Sequence, residues 1–290
     1  MSFIIKLTEE NPSGIQQFEN PDFRDAVSGA QKDYAKNADK DIGDLLVNLL
    51  IERTKKENRD LAQIVLNESL RIVPKLINEH LAVLSAVFFV QNYYKEIRLD
   101  HKELQHLLDE SLGKISNEII PGYSCFRHLE FTGCGSSGKT GVRGIEQYIT
   151  LRYKGLFFTG FNEAQIDKIE LPNKLRKRLV TPCINDTTKL QINALNDKDL
   201  IKILEENSVD ENYRTKIFTL FNENRMNHKD VKICISKFSP FMESIFYKWN
   251  NSEMRTFLPT SVGMSIAHAN LKRKGFKLPD IPVLFSEEKR

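Results

Sequence analysis

Gly133-Cys134-Gly135-Ser136-Ser137-Gly138-Lys139-Thr140 fits the phosphate-cradling pattern G-x-x-x-x-G-K-[ST] at every position. In that pattern the backbone N–H groups of a tight glycine turn surround phosphate oxygens, the lysine reaches the β/γ-phosphates and the hydroxyl holds Mg²⁺. Lys139 and Thr140 take those two roles, Gly133 and Gly138 allow the curl, and Arg143 adds a cation. The surroundings argue against this chemistry. A nucleotide-binding strand is buried on both faces and reads as an aliphatic run, whereas His128-Leu129-Glu130-Phe131-Thr132 alternates. Gly141 and Gly144 fall where the next helix should start, at a cost of about 1 kcal/mol each against alanine. No apolar run downstream ends in the magnesium-holding aspartate; the nearest, Lys232-Ile233-Cys234-Ile235-Ser236, lacks the acid. The expectation is a glycine-rich connector between helical parts. An anion site at Lys139 and Arg143, or a nucleotide-binding enzyme, are the alternatives.

Cys125, His128 and Cys134 sit close together, but a structural zinc wants four ligands and no further cysteine or histidine is nearby. Buried thiols beside a hydrogen-bonded histidine are the expectation, ahead of Cys134 as a nucleophile with His128 as its base. No metal, cofactor or catalytic set is expected. His268, among small helical residues, is expected to bond a neighbouring carbonyl, and His80, His101, His106 and His228 to lie on the surface. Lys174, Arg176, Lys177 and Arg178, with a second basic cluster over 272–277, raise nucleic acid as a third reading. Aromatics interleaved with the cations would strengthen it; the first cluster has none and the second only Phe276, so a solvated face is expected.

These groups must be positioned by elements that are mostly helical. Pro21 suits a first helical turn, and Phe23, Val27, Ala30 and Tyr34 recur three or four apart. Helices follow over about 42–56, with Asp44 and Glu52 on the polar face, and over about 59–72, closed by Pro74. Asn78 is the expected N-cap of a helix whose segment 81–90 is almost wholly apolar, as in the centre of a bundle. A further helix over about 102–119 is stopped by Pro121-Gly122. After the loop, helices are expected near 145–152, 197–206, 211–222, 239–250 and 260–274, the last ending at Gly275 as its C′ residue. The first 14 residues are left between a short strand and an arm, 172–196 reads as irregular, and 231–235 as a strand or a helical turn.

The fold class is therefore mainly α: an N-terminal antiparallel helical bundle packed on a second helical region, with few or no strands. The expected division is an arm over 1–16, the bundle over 17–122, a glycine-loop and connector region over 123–196, and a C-terminal helical region over 197–290. The chain has 290 residues, 40% hydrophobic and 28% charged, a globular composition with a formal net charge of only +3. Four cysteines lack C-x-x-C spacing, no signal peptide is read at Met1, and no apolar run approaches membrane length. The expected setting is the bacterial cytoplasm, without a membrane.

Several blocks together resemble an uncharacterised bacterial family that carries only a locus-tag name, the LPO/Vpar family. They are Pro21-Asp22, Ala30-Gln31-Lys32 and Tyr34-Ala35; Lys40 through Val47 and Arg53-Thr54-Lys55; Ile64 through Glu68 and Val73 through Leu76; His128-Leu129-Glu130 with Gly133 through Ser136; and Thr260 through Asn270. The resemblance spans about 18–273. Family members often carry a polar, glycine- and asparagine-containing N-terminal extension, which is not expected for this chain. The resemblance implies no established activity, only an analogy to conflict, phage-defence or signalling proteins. It implies that Gly-Cys-Gly-Ser, without the following Gly-Lys-Thr, is the family's own pattern at the loop. The expected function is a non-enzymatic interaction or sensor protein with a protein partner or self-association.

Overall fold

Asn20 accepts a hydrogen bond from the Asp22 N–H and Pro21 begins the first long helix, so the chain enters it with one exposed donor capped and another absent. Local signals of this kind set most of the architecture. The computed structural model describes residues 3–55, 60–138 and 142–281. Its α-helices in chain order are α1 (Phe3–Glu10), α2 (Pro21–Asn37), α3 (Lys40–Thr54), α4 (Leu61–Ile72), α5 (Asn78–Asn92), α6 (His101–Leu108), α7 (Tyr123–Phe131), α8 (Ile145–Arg152), α9 (Glu163–Asp167), α10 (Asn173–Leu179), α11 (Asp197–Glu206), α12 (Glu211–Glu223), α13 (His228–Phe238), α14 (Met242–Asn250) and α15 (Ser261–Arg273). Three-residue strands β1 (Gly135–Ser137), β2 (Val180–Pro182), β3 (Leu190–Ile192) and β4 (Phe257–Pro259) form two antiparallel pairs, β1 with β4 and β2 with β3. The protein is mainly α.

The chain divides into two compact units that interleave along the sequence. The first holds Met1–Asn92, Glu110–Val142 and Lys248–Arg290; the second holds Tyr93–Asp109 and Arg143–Tyr247. This is not the serial order read from the sequence, with boundaries at 122 and 196. Periodicity finds a helix but does not say that α15 returns to pack beside α3, α4 and α5.

In the first unit, residues 81–90 of α5 are buried all round, and α15 lies against them with small or short side chains. Ser85 Oγ donates to the Ala267 carbonyl at 3.3 Å and accepts from Asn270 Nδ2 at 2.9 Å. Glu52 lies on α3 in the interior, not on a polar face. Its carboxylate takes Lys55 at 2.9 Å, Lys272 of α15 at 2.7 Å and the Ile281 N–H at 3.0 Å, so the buried charge is paired and hydrogen-bonded. The next residue, Arg53, is fully buried and reaches Asp22 at 3.0 Å and Asn67 at 3.1 Å. Gly275 ends α15 at φ +87°, with Gly275 N–H to Lys272 O and Phe276 N–H to Leu271 O, the Schellman pattern.

The start of the chain is neither strand nor arm: α1 runs through it and buries Leu7. Asn78 is not a cap but the first residue of α5, and the Ile77 N–H donates instead to His80 Nδ1. The expected helix over 102–119 is helical from His101 to Ile115, with a π-helical turn, Asp109–Gly113, inside it.

In the second unit the segment expected to be irregular supplies core. Leu179, Cys183, Ile192 and Ala194 are buried with Phe158, Phe161, Leu200 and Phe221. Its backbone is satisfied by the β2–β3 pair and by Phe161, which exchanges two 2.8 Å bonds with Leu190. Residues 231–235 lie within α13.

Candidate functional site

The glycine loop is a joint. Its preceding element is α7, a helix and not a strand. Gly133 sits at φ +74°, its N–H donates to Glu130 O at 3.0 Å and the Cys134 N–H to Leu129 O at 2.8 Å, a second Schellman ending. Gly135 opens β1, where a Cβ would stand 2.4 Å from the Phe257 ring. The Ser137 N–H donates to Glu130 Oε1 at 2.8 Å and the Gly138 N–H to Thr256 O at 2.9 Å. The N–H groups of Gly133, Cys134, Ser137 and Gly138 are thus already used. The Ser137 hydroxyl donates to the Glu253 carboxylate, so two acids meet the loop where a phosphate would. Donation from the Ser137 backbone holds the Glu130 carboxyl below the usual range.

On its other side the joint holds α15. The Thr260 N–H donates to Cys134 O at 3.0 Å and its hydroxyl to Gly133 O at 2.7 Å, while the same hydroxyl accepts the Gly263 N–H at 3.2 Å as the helix cap. Gly263 presses on the loop: a Cβ there would lie 1.9 Å from the Cys134 carbonyl oxygen. Lys139 and Thr140, on which the phosphate reading turned, lie outside the described residues. Arg143 belongs to the second unit, with its guanidinium 6.0 Å from the Tyr148 ring centroid.

The other sequence candidates fall as follows. Arg176, at the centre of the basic run on α10, pairs with Glu163 and Asp167, and Arg178 donates to Asn207 at 2.6 Å; Lys174 and Lys177 are exposed. Two of the four cations therefore already have intramolecular partners. Cys125 and Cys134 are buried, and burial pushes the Cys125 thiol up to about 12 and raises that of Cys134. A raised thiol is a poor nucleophile. His128 turns away from both, with Nε2 donating to Lys75 O at 2.8 Å and its ring stacked 4.7 Å from His80. Among the described residues no cluster of three His, Cys, Asp or Glu could hold a metal ion. His268 is fully buried, 6.1 Å edge-on to Phe88, and neither ring nitrogen makes a hydrogen bond among the described residues. The Pro279 carbonyl, near enough to favour the protonated ring slightly, is outside hydrogen-bond geometry; burial dominates and lowers the pKa to about 4.

Two groupings had no sequence signal. In the second unit Cys234 Sγ lies 4.0 Å from His101 Nε2 and 3.9 Å from Asn185 Oδ1, a thiol–imidazole–amide set drawn from three distant segments. The geometry is structural: Nε2 directs its proton to Leu156 O at 2.9 Å, so it cannot accept one from the thiol, whose own pKa burial raises.

The other grouping is a cavity of about 420 Å³ in the first unit, within the usual range of small-molecule sites. Phe3 and Ile4 of α1 line it with Phe18. Val27 and Ala30 of α2 and Leu46, Val47 and Leu50 of α3 complete its apolar lining. It opens beside Ile4 and Tyr34, both nearly half exposed. Its polar groups are Gln31, Lys40, Asp44 and Tyr34. Gly43 in α3 has a packing reason: a Cβ there would come within 2.6 Å of the Tyr34 ring, so its absence lets that ring lie on the helix backbone.

A protein-family model, described only by the suffix "-like", matches residues 1–282. The chain belongs to the uncharacterised LPO/Vpar family. Two sets of the blocks that carry the LPO/Vpar resemblance meet in space: Gly133 through Ser136 with Thr260 through Asn270 at the joint, and Ala30-Gln31 and Tyr34 with Lys40 through Val47 around the cavity. No curated protein and no solved structure matches this LPO/Vpar chain.

Proposed function

We propose that the protein is a non-enzymatic sensor whose first unit binds an apolar small molecule. The cavity between α1, α2 and α3 carries this reading: an apolar space of small-molecule size with a few polar groups at its mouth is the usual form of a ligand site. The spent N–H groups and the two carboxylates at the glycine loop weigh against a nucleotide-binding enzyme. The ion pairs of Arg176 weigh against a nucleic-acid binder.

The reading predicts that N-phenyl-1-naphthylamine, a neutral apolar fluorophore, brightens on binding the protein. Val47→Trp, which fills the cavity, is expected to weaken that binding at least tenfold while helicity and thermal midpoint stay near wild type. Equal brightening in a folded Val47→Trp protein would sink the reading.

The setting we propose is the cytoplasm. All four cysteines are free, three of them buried, as suits a reducing compartment. No helix among the described residues is long and apolar enough to cross a membrane. A sensor needs a listener, and α7 offers two anchors for a protein partner or second copy, one at each end: Tyr123 and Phe131 are 73% and 83% exposed, large fractions for aromatic side chains.

A further inference from the structure

We propose that the ligand of the α1–α2–α3 cavity is a medium-chain acyl amide: one alkyl tail ending in an uncharged amide head. This rests on the reading above that the cavity is a ligand site.

The tail follows from volume and lining. Val27, Ala30, Leu46, Val47 and Leu50 offer no hydrogen-bonding side chain, so the interior rewards only apolar contact. An apolar cavity of ~150 Å³ accepts one benzene, roughly 25 Å³ per carbon. On that scale 420 Å³ admits a single chain of roughly ten to sixteen carbons. A diacyl lipid, with about twice that carbon in its tails, does not fit.

The head follows from the mouth. Lys40 and Asp44 are one turn apart on α3, with Cβ atoms about 5–6 Å from each other. Lysine offers only donors and aspartate only acceptors. Their charges cancel, so the mouth favours neither an anionic nor a cationic head over the other. A carboxylate that reaches Lys40 meets Asp44, and an ammonium that reaches Asp44 meets Lys40. An amide suits both, its carbonyl accepting from Lys40 and its N–H donating to Asp44. Gln31, on α2, is itself an amide and adds a donor and an acceptor. Tyr34, laid on the bare backbone of Gly43, walls the mouth beside them.

The test is competition for bound N-phenyl-1-naphthylamine by decanamide, dodecanamide, tetradecanamide, dodecanoic acid and dodecylamine, each below its micelle concentration. On wild type, dodecanamide is expected to bind at least tenfold tighter than the acid and the amine. Affinity should rise about fourfold per added methylene until the cavity is full. Asp44→Asn, at a half-buried position, and Lys40→Met, at an exposed one, should preserve the fold and invert the ranking, the first towards the acid and the second towards the amine. A wild type that prefers acid or amine, or variants that leave the ranking unchanged, overturn the amide assignment while the apolar-site reading stands. A probe that binds but yields to none of the five compounds does the same. A probe that does not bind the wild type overturns both.

Discussion

At the scale of single residues, the two glycines at the loop joint are required for different reasons. Gly133 is held at φ +74° with open space where a Cβ would go, so alanine there meets only the left-handed penalty. Gly263 has ordinary helical geometry, but its Cβ position is occupied by a backbone carbonyl 1.9 Å away, which no rotamer change can clear. Gly133→Ala is expected to cost about 1 kcal/mol. Gly263→Ala should cost about 3 kcal/mol or prevent folding, because α15 or the loop must move. Urea midpoints of the two variants check this; equal losses would mean that the contact between Gly263 and Cys134 is not as tight as described. The phosphate motif misleads at this same scale, since a glycine pattern records where a chain bends sharply and not which donors remain free after the bend.

At the scale of elements, α15 carries a buried histidine into the middle of the first unit. The folded-state pKa of His268 is about 4, below the ordinary 6.5. Above about pH 6.5 the ring is neutral in both folded and unfolded chains and contributes no pH dependence. Between about 6.5 and 4 the unfolded chain takes up a proton that the folded chain refuses, so stability falls with pH. The slope approaches 1.4 kcal/mol per pH unit, or about 2 kcal/mol between pH 6.5 and 5. His80 is lowered to about 4 as well, by burial and then by the charge of His128. His268→Leu should therefore flatten the urea midpoint between pH 7 and 5 by only the His268 share. A variant with the full wild-type slope would show that His268 does not titrate as assigned.

Elements were also what the sequence disclosed best. The three-to-four spacing of Phe23, Val27 and Ala30, the apolar segment 81–90 and the Pro259–Gly275 bounds gave α2, α5 and α15 nearly to the residue. The spacing of Cys125, Phe126 and Leu129 also marks a helix, but the alternation of residues 128–132 masked it. Segment 172–196 was unreadable because its burial comes from partners across a strand pair, not from one helical face. Glu52 looked like a surface charge because its partner Lys272 on α15 is 220 residues away. The cavity has no sequence signature: Val27, Ala30 and Val47 read as core in any case, and a cavity is the space that core side chains fail to fill.

At the scale of the whole molecule, the chain passes between its two units four times, after Asn92, Asp109, Val142 and Tyr247. No serial cut returns a complete unit. Deleting 248–290 removes α15, and with it the surface that covers α5, the partner of Ser85 and the Lys272 charge beside Glu52. The truncated protein is expected to lose amide-exchange protection throughout α5. Protection of α5 equal to that of the full chain would show that α15 is dispensable to the first unit.

The same threading has a consequence for biosynthesis. A ribosome delivers α5 long before α15, with roughly 170 residues between them, and at bacterial or slower rates that interval lasts roughly 10–30 s. For that time an almost wholly apolar helix waits for the segment that will sheathe it. Co-expression of a holding chaperone is therefore expected to raise the yield of folded protein, by covering those seconds.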